Sequence, residues 1–437
     1  MRTDELVKPD RVHRRVYTDP AIFELEMERL FGRAWIYVGH ESQVREPGDF
    51  FCTRVGRQPV VMVRHADGSV RVLYNRCAHR GAMVVAAESG RATEFRCCYH
   101  GWTYATDGSL RSVPVRQGYP AGTVDPADPA FHMPPVPRVD AYRGFVFASL
   151  CAEGPSLVEF LGHMTTSFDD LVDRAPDGEI EVAGGIARHA YDGNWKLIFE
   201  NVNDGLHPVS VHQSSIEAAR AQDDVAWSDG AGEVGIRQMR QNGAPLEFWD
   251  GQVGLWAYPN GHSFLGDYHD DEKLAVARQD PSFGEYIAAM EGRKGRDEAR
   301  RILAVTRWNS NIYPTISFMS QFRQLRVIQP VAVDRTEVLG FCFRLKGAPE
   351  KMFRDTIRFA NVTNATASPV LTDDLETYGR LRSGLASDGA DWIPVSRGLG
   401  RDTPDGHGGL QAENGLSELH IRNMFTAWAG YMADGGQ

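Results

Sequence analysis

The chain has 437 residues, of which 42% are hydrophobic and 24% charged, a composition typical of globular proteins with sizeable cores. It carries 47 Lys and Arg against 58 Asp and Glu, a net charge of −11, and no local basic cluster, which disfavours nucleic acid and anionic membranes as partners. No apolar run approaches the roughly 20 residues that span a bilayer, the N-terminus has no apolar signal segment, and six cysteines are too few for a disulfide scaffold. We therefore expect a cytoplasmic protein that binds neither membrane nor nucleic acid.

The first part of the chain predicts a helix followed by a small all-β region. Residues 19–35 carry apolar side chains at helical spacing after an Asp19-Pro20 pair suited to a helix start. From about 40 to 150 the sequence changes to short β-rich runs, such as QPVVMVR and GFVFASL, separated by turns that contain DGS. Residues 115–138, rich in Pro, Gly and Ala, are expected to form a long connector within this region.

From about residue 155 onward, helical and strand patterns are mixed. Helices are expected over 192–207 and 371–385, and two strands around a turn are expected over 320–345. The segments 222–235 and 398–415 are rich in Gly and acidic residues and predict exposed loops.

Three of the six cysteines crowd into 22 residues, in two loops that each offer a thiol and an imidazole. The first loop, C-A-H-R-G, contains Cys77 and His79, and the second, C-C-Y-H-G-W, contains Cys97 and His100. Structural zinc sites usually pair like with like, whereas loops that each mix Cys and His suit an asymmetric cluster with two Cys on one iron and two His on the other. Neutral imidazole ligands raise the reduction potential, so such a cluster would be a moderate electron carrier.

This C-x-H-R-G…C-x-x-H-G-W pattern resembles the Rieske signature of ring-hydroxylating oxygenases. The resemblance implies that Cys77, His79, Cys97 and His100 bind a 2Fe–2S cluster. Internal symmetry of the two loops would favour Cys98, which completes a second C-x-H, but the family pattern is C-x-x-H and makes Cys97 the ligand. Cys98 is then expected to be a small, packed thiol that binds no iron.

A second group of metal-ligating side chains lies in the segment NWKLIFENVNDGLHPVSVH. Glu200, Asp204 and His207 are spaced by four and three residues, so a helix would place them on one face. Pro208 disfavours helix at the preceding residue, and a helix that ends or kinks there could aim His207 and His212 at one ion. Two histidines and one carboxylate would form a facial triad for non-haem iron. The same residues also suit a solvated helix that carries two unrelated histidines.

The E-N-x-x-D-x-x-H-x4-H pattern of this segment resembles the mononuclear-iron motif of Rieske oxygenase α subunits. The resemblance implies that His207 and His212 bind the iron, and that Asp204 bridges the iron site of one subunit to His100 of the adjacent one, which implies a ring of subunits. Asp204 would also orient the His207 ring through its second N–H. Asn201, one turn earlier, is a candidate to tune the site or contact the substrate.

The third iron ligand of the family is a downstream aspartate, and the segment LTDDLETYGRLRSGL offers two. An apolar stripe runs along the helix predicted over 371–385, and Asp374 falls within its arc, whereas Asp373 points roughly 100° further round. Because a buried carboxylate needs a partner or a metal, Asp374 is the expected ligand, in agreement with the family pattern. Asp373 is expected to be a first-turn acid favoured by the helix dipole.

The resemblance implies an α+β fold and an enzyme. We predict an N-terminal helical segment that packs on the catalytic domain (1–40), an all-β Rieske domain (41–155), and a catalytic domain with mononuclear iron (156–437), built as an antiparallel sheet flanked by helices (helix-grip, START-like). The protein would be the terminal oxygenase α subunit of a multicomponent aromatic-ring dioxygenase. It would use O2 and electrons from NAD(P)H delivered by a flavin reductase, with or without a ferredoxin, in an α3 assembly or with a small β subunit as α3β3.

Softer matches point to the branch of the family that acts on benzoate-, anthranilate- or salicylate-like acids, among them ENVNDGLH, DDLE, W-x-x-x-S-R-G and IRNMFTAW. A carboxylated substrate needs a cation, and Arg326, ahead of Arg323, lies on a strand that would wall the pocket. Phe318 is a candidate aromatic neighbour of the substrate, together with Trp308 and Tyr313. Surface ion pairs and core packing would account for the same residues equally well.

Three alternatives stay open at this point. One is a monooxygenase or demethylase of the same family, and another is a Rieske electron-transfer protein without mononuclear iron. The third is a structural protein that uses the Cys and His residues to bind zinc.

Overall fold

The chain divides into two compact units. Residues 26–157 form the smaller unit, and the residues up to 25 together with those from 158 onward form the larger one. The computed structural model describes residues 3–222, 233–251, 253–268, 275, 278 and 281–433. The loop predicted over 222–235 lies mostly outside the described residues. Among the described helices, none has the length and apolarity needed to cross a bilayer.

The N-terminal segment belongs to the larger unit. Its elements are, in chain order, β1 (Val7–Lys8), β2 (Arg11–His13), α1 (Arg15–Thr18) and α2 (Pro20–Leu25). The helix predicted over 19–35 is interrupted, because the backbone continues after Leu25 as a π-helix, Glu26–Leu30, and then as turns. The change of helix type falls at the division between the two units.

The smaller unit is built from short antiparallel strands, as predicted. The strands are β3 (Ile36–His40), β4 (Asp49–Val55), β5 (Gln58–Arg64), β6 (Val70–Tyr74), β7 (Ser89–Arg91), β8 (Glu94–Arg96), β9 (Thr103–Ala105), β10 (Leu110–Ser112), β11 (Arg138–Tyr142) and β12 (Phe145–Ser149). They form three sheets in the orders β6-β5-β4-β7, β10-β9-β8 and β11-β12-β3. Apolar side chains of the first two sheets enclose Cys77, Cys97, Trp102 and Tyr104, so the cysteine loops are anchored in the core of this unit.

The larger unit combines one large sheet with helices. Its helices are α3 (Leu157–Leu161), α4 (Thr165–Asp173), α5 (Lys196–Asn201), α6 (His207–Val211), α7 (Gln213–Arg220), α8 (Glu233–Asn242), α9 (Leu246–Gly251), α10 (Pro281–Lys294), α11 (Arg296–Ala304), α12 (Glu350–Phe359), α13 (Leu371–Leu385) and α14 (Leu419–Met432). Its remaining strands are β13 (Ile180–Tyr191), β14 (Gly254–Tyr258), β15 (His262–Tyr268), β16 (Val305–Ile312), β17 (Ile316–Met319), β18 (Gln324–Ala332), β19 (Arg335–Leu345), β20 (Trp392–Pro394), β21 (Thr403–Pro404) and β22 (Leu410–Ala412).

Nine of these strands form an antiparallel sheet in the order β13-β19-β18-β17-β16-β15-β14-β22-β21. The strand pair and the helix predicted over 320–345 and 371–385 are β18–β19 and α13, whereas the loop predicted over 398–415 contributes β21 and β22 to the sheet edge. A bulge in β13 carries Gly184 at φ +81°, where a Cβ would lie 2.6 Å from Ile357 Cδ1 of α12. The α+β fold predicted from the sequence is confirmed.

Candidate active site and metal centres

The two cysteine loops of the smaller unit share one backbone hydrogen-bond pattern. In the first, the Cys77 N–H donates to Ala82 O (2.8 Å) and the N–H of the fifth loop residue, Gly81, donates to Cys77 O (2.9 Å). In the second, the Cys97 N–H donates to Trp102 O (2.8 Å) and the Gly101 N–H donates to Cys97 O (3.0 Å). Both glycines have left-handed φ values, +75° and +72°, which L-residues rarely adopt. The backbone therefore makes Cys97, and not Cys98, the counterpart of Cys77.

The burial of the cysteine side chains also makes Cys97 the equivalent of Cys77. Cys77 and Cys97 are each 2% exposed, whereas Cys98 is exposed. The expectation that Cys98 is packed is wrong, because alternate side chains of an extended loop point opposite ways and Cys97 takes the inward direction. The His79 and His100 rings lie 4.6 Å apart between centroids.

Neighbouring aromatic residues fix the position of the loop side chains. Trp102 stacks on His79 with its ring 5.1 Å away and nearly parallel. Tyr104 lies 3.1 Å from Cys77 Sγ through its hydroxyl, which also accepts a hydrogen bond from the Ala78 N–H (3.1 Å). The sequence analysis missed Tyr104, although it follows closely after the H-G-W motif.

The donor set suits a cluster better than a single ion. His79 Nδ1 is buried and has no hydrogen-bond partner, as expected for a nitrogen that is reserved for a metal. Among the described residues, only the group in the larger unit brings three Cys, His or carboxylate ligand atoms within 4.8 Å of one another. The two thiols and two imidazoles are thus spread more widely than one ion can bridge, which disfavours zinc.

That group in the larger unit consists of His207, His212 and Asp374. Asp374 Oδ1 lies 3.9 Å from His207 Nε2 and 3.6 Å from His212 Nε2. The three side chains are largely withdrawn from solvent, with exposed fractions of 20%, 3% and 12%. Two imidazoles and one carboxylate converging on one point form the facial arrangement that non-haem iron prefers.

The backbone reaches this geometry differently from the prediction. The single helix expected over 192–207 ends at Asn201, before Asp204, and a new helix, α6, starts at His207 with Pro208 in its first turn. Between the two helices, Asp204 Oδ1 accepts from the N–H groups of Leu206 (2.6 Å) and His207 (3.3 Å), which supports the turn that leads into α6. Proline is tolerated in a first turn, where its missing N–H would be unpaired.

Helix α13 presents its two aspartates differently, as its apolar stripe predicts. Asp374 is buried, and its Oδ1 accepts from Asn201 Nδ2 at 3.0 Å. Asp373 is more exposed, and its Oδ2 lies 3.5 Å from His212 Nδ1, the ring nitrogen that faces away from the triad. Asn201 can thus orient Asp374, as neighbouring groups commonly do at metal sites, whereas the Asp373 contact to His212 does not reach hydrogen-bond geometry.

His207 is oriented by the main chain of Asp204. The His207 Nδ1 lies 2.8 Å from Asp204 O, which leaves Nε2 for a metal. The orienting role predicted for Asp204 is performed by its main-chain carbonyl and not by its carboxylate. Asp204 Oδ2 instead pairs with Arg397 Nη2 at 3.1 Å, a contact that the sequence analysis missed.

Burial sets the protonation of the triad. It lowers the pKa of His207 and of His212, and both imidazoles are therefore held in the neutral, metal-binding form. It raises the pKa of Asp374, with His212 acting in the opposite direction. A cation at the triad would compensate the cost of ionising this carboxyl, so the electrostatics fit a metal ion.

A cavity of about 620 Å³ opens beside the triad, large enough for a monocyclic or bicyclic aromatic molecule. Asn201, Trp308, Arg323 and Arg326 line it together with the three triad residues. Phe318 does not belong to the described lining, since it is fully buried against Phe168 with the rings 5.0 Å apart. Side chains alternate along a strand, so the next residue of β17, Met319, reaches the cavity in its place.

Tyr313, the other aromatic residue suggested by the sequence, is also fully buried outside the described cavity lining. Its ring packs against Trp195 and Phe199, at centroid distances of 5.6 Å and 5.7 Å. Of the three aromatic candidates, the structure therefore brings only Trp308 to the cavity.

An all-β unit with paired Cys/His loops, next in the chain to a sheet-and-helix unit with a buried 2-His-1-Asp group, defines a Rieske-type non-haem iron oxygenase. Residues 34–124 match the family described as the Rieske [2Fe-2S] domain, and residues 177–434 match the ring hydroxylating alpha subunit (catalytic domain). The chain belongs to this ring-hydroxylating α-subunit family and is an oxidoreductase. The Rieske domain implies a 2Fe–2S cluster and the catalytic domain implies mononuclear iron, so the electron-carrier and zinc-protein interpretations are wrong.

Relatives resemble the chain over most of their length. It is 34% identical to the toluate 1,2-dioxygenase subunit alpha of Pseudomonas putida, over 90% of this chain and 84% of that protein. It is 33% identical to the 2-halobenzoate 1,2-dioxygenase large subunit of Burkholderia cepacia and 34% identical to the anthranilate 1,2-dioxygenase large subunit of Acinetobacter baylyi, in each case over 89% of this chain and 80% of that protein. The fold matches naphthalene 1,2-dioxygenase with indole bound in the active site, with a TM-score of 0.82 at 22% identity, over 99% of this chain and 94% of that one. These findings confirm the family predicted from the sequence.

Proposed function

We propose that this α subunit dihydroxylates the ring of an aromatic carboxylic acid. The observation that carries the proposal is Arg326, a partly buried cation that lines the cavity with the three triad residues and, among the described residues, has no carboxylate within ion-pairing distance. The names of relatives that act on toluate, halobenzoate and anthranilate support the same substrate class.

Arg326 differs in its contacts from Arg174 and Lys351, two other cations of the cavity lining. Its Nη2 donates to Asn309 Oδ1 and to Ser317 Oγ (3.2 Å), and both of these acceptors are neutral. By contrast, Arg174 pairs with Asp170 at 2.9 Å and Lys351 pairs with Asp355 at 2.9 Å. Among the described residues, Arg326 has no carboxylate within ion-pairing distance.

Arg323 is a weaker candidate than Arg326 because each of its three guanidinium nitrogens already donates a hydrogen bond to the protein. Its Nε, Nη1 and Nη2 donate to Thr356 Oγ1 (2.6 Å), Gln321 O (2.7 Å) and Met352 O (3.3 Å). Arg326 keeps Nε and Nη1 for a ligand. Burial lowers the pKa of Arg326 to about 10, so the group remains a cation at neutral pH. A desolvated cation without a paired carboxylate is costly, and a substrate carboxylate would compensate it.

We assign the metal ligands as the sequence analysis does. Cys77, Cys97, His79 and His100 would hold the cluster, and His207, His212 and Asp374 would hold the iron. When bound, these groups supply dioxygen activation and electrons one at a time. Asn201 holds Asp374 in place. Arg326 would orient the aromatic ring of the substrate and so determine which ring carbons face the iron site.

We further propose that electrons enter the iron site through Asp204 from His100 of the adjacent subunit, in an α3 or α3β3 ring. The relatives are named as alpha or large subunits, which supports the presence of a smaller β subunit. A flavin reductase using NAD(P)H, with or without a ferredoxin, would deliver the electrons. The native mass, alone and with a co-expressed β subunit, distinguishes the two assemblies.

We propose domain boundaries at 1–40, 41–155 and 156–437, with residues 26–40 of the first segment grouped with the smaller unit by their contacts. Two hydrogen bonds support packing of the N-terminal segment on the catalytic domain. Thr3 Oγ1 donates to Met432 O (3.1 Å) and Tyr17 Oη donates to Glu200 Oε1 (2.8 Å).

The test is turnover of a panel of aromatic acids, amines and neutral arenes with a surrogate reductase, with products identified by mass. Benzoate-like acids are expected to gain two oxygen atoms. Arg326→Gln is expected to raise KM for them about 10- to 100-fold, the loss of a charge-assisted contact, and to leave KM for any neutral arene unchanged. The matched control is Arg344→Gln. Arg344 lies on β19, is half-exposed, and pairs with Glu181 of β13. Preference for neutral arenes in the wild type would refute the proposal.

A further inference from the structure

We propose that Arg397 is a positioning residue of the iron centre. Its guanidinium holds the Asp204 carboxylate where Asp204 can fix the His207 ring and serve as the electron entry point. The second of these roles rests on the proposed function, whereas the first rests on contacts within this chain. Arg397 belongs to the W-x-x-x-S-R-G motif, to which the sequence analysis gave no role.

Asp204 makes three contacts with the two residues Leu206 and His207 that follow it closely in the chain. Its Oδ1 accepts from the Leu206 and His207 N–H groups, at 2.6 Å and 3.3 Å, and so defines the start of α6. Its carbonyl lies 2.8 Å from His207 Nδ1 and fixes the plane of the imidazole. A movement of the Asp204 carboxylate would therefore shift the backbone that presents His207.

Arg397 is the described partner of the remaining oxygen, Asp204 Oδ2, with an Nη2–Oδ2 distance of 3.1 Å. The Asp204 carboxylate is only 19% exposed, so solvent can replace little of this contact. Burial opposes ionisation of Asp204, and its pKa is nevertheless lowered, first by His207 and next by Arg397. Without it, a mostly buried anion would keep only the Oδ1 contacts.

Hydrogen bonds hold both the side chain and the backbone of Arg397 in place. Its Nε donates to Leu416 O and its N–H donates to Glu418 Oε2 (2.8 Å), while its carbonyl accepts from Arg422 Nη1 (2.9 Å). Gly398 makes this approach possible, because it has φ +78° and a Cβ there would lie 2.5 Å from the Ser417 hydroxyl. A guanidinium fastened at Nε offers Nη2 in a fixed direction, which a lysine cannot reproduce.

The first experiment measures amide hydrogen exchange in the full chain. Arg397→Met is expected to speed exchange of the Leu206 and His207 amides about tenfold, because the carboxylate that accepts from them loses its anchor. Arg397→Lys keeps the positive charge but lacks the planar guanidinium. Its amide exchange rates are expected to fall between those of the wild type and those of Arg397→Met. The control Arg301→Met breaks an exposed ion pair with Glu298 on α11 (2.6 Å) and is expected to leave these amides unchanged. Unchanged exchange in Arg397→Met overturns the proposal.

The second experiment measures the electron route in fully loaded enzyme. The cluster is reduced chemically, and its reoxidation is followed in a single turnover with substrate and O2. Arg397→Met is expected to slow this step about tenfold while mononuclear iron content stays at the wild-type level. When nitric oxide is bound to the mononuclear iron, the electron paramagnetic resonance signal of Arg397→Met is expected to differ in shape from that of the wild type. A general loss of stability would not cause such a change.

Asp204→Asn separates failure of this inference from failure of the proposed electron route. Slow reoxidation in Asp204→Asn with wild-type behaviour in Arg397→Met overturns the role of Arg397 and keeps the route. Wild-type reoxidation in Asp204→Asn overturns the route, and the exchange experiment then decides on Arg397 alone. If Arg397→Met does not assemble, Arg397→Lys is measured by both methods, and wild-type values in both overturn the proposal.

Discussion

Replacing Tyr104 by phenylalanine is expected to lower the reduction potential of the cluster. The Tyr104 hydroxyl oxygen lies 3.1 Å from Cys77 Sγ and already accepts from the Ala78 N–H, so its own proton is directed to the sulfur. Burial raises the pKa of Tyr104 above its usual range, and the hydroxyl stays protonated. Reduction adds a negative charge to the cluster, so this bond strengthens on reduction and favours the reduced form.

The magnitude follows from the strength of such a bond. A hydrogen bond to a charged group contributes about 1.5–3 kcal/mol, and we take about 1 kcal/mol of it to arise on reduction. Since 59 mV corresponds to about 1.4 kcal/mol for one electron, the potential of Tyr104→Phe should fall by about 40 mV. The variant also leaves the Ala78 N–H unpaired, which costs about 1–3 kcal/mol of stability.

The assay is a redox titration of the Rieske absorbance, with a thermal melt on the same sample to report the loss of stability separately. Tyr119→Phe is the control, because Tyr119 packs edge-on against Trp102 at 6.4 Å between centroids. It is expected to leave the potential unchanged. An unaltered potential in Tyr104→Phe with an intact cluster refutes the reasoning.

Three further predictions test the ligands and the acid stability. Asp374→Asn should lose the mononuclear iron and keep the cluster, while Asp373→Asn should keep both. Iron and acid-labile sulfide analysis measures these contents, and mononuclear iron retained in Asp374→Asn would contradict the assignment. Cys97→Ser should abolish the Rieske spectrum and Cys98→Ser should keep it, because only the Cys97 thiol is buried, and the reverse result would favour the symmetric assignment. Burial lowers the pKa of His262 to about 4. The unfolded chain therefore binds an additional proton as pH falls from about 6.5 to 4, and stability should drop by up to about 1.4 kcal/mol per pH unit. Melting temperatures between pH 7 and pH 5 should show this slope, and His262→Gln should reduce it.

The metal motifs could be found from the sequence because their ligands lie close along the chain. Cys77 and His79 share one loop, as do Cys97 and His100, and only five residues separate His207 from His212. The distant ligand candidate, Asp374, was singled out by helical periodicity, since its burial follows from its place on the apolar stripe of α13.

Other features depend on contacts that periodicity cannot express. After the helix break at Asn201, the Asp204 side chain accepts from the Leu206 N–H, a local interaction that competes with the helical pattern. Phe318 was assigned to the cavity wrongly because the direction of a strand residue depends on the register of the sheet.

By itself, the sequence determined the family, the two metal motifs and the all-β and sheet-and-helix architecture, and it predicted Asp374 over Asp373 as the third iron ligand. Each of these depends on spacing or on the identity of nearby residues. Only the tertiary structure decided which cations of the cavity lack an acidic partner, and which side chain anchors Asp204. Arg397 lies 193 positions from Asp204, and Arg326 stands out only after the partners of the other cations are known. Charge compensation depends on folded distances, and the order of residues along the chain does not contain them.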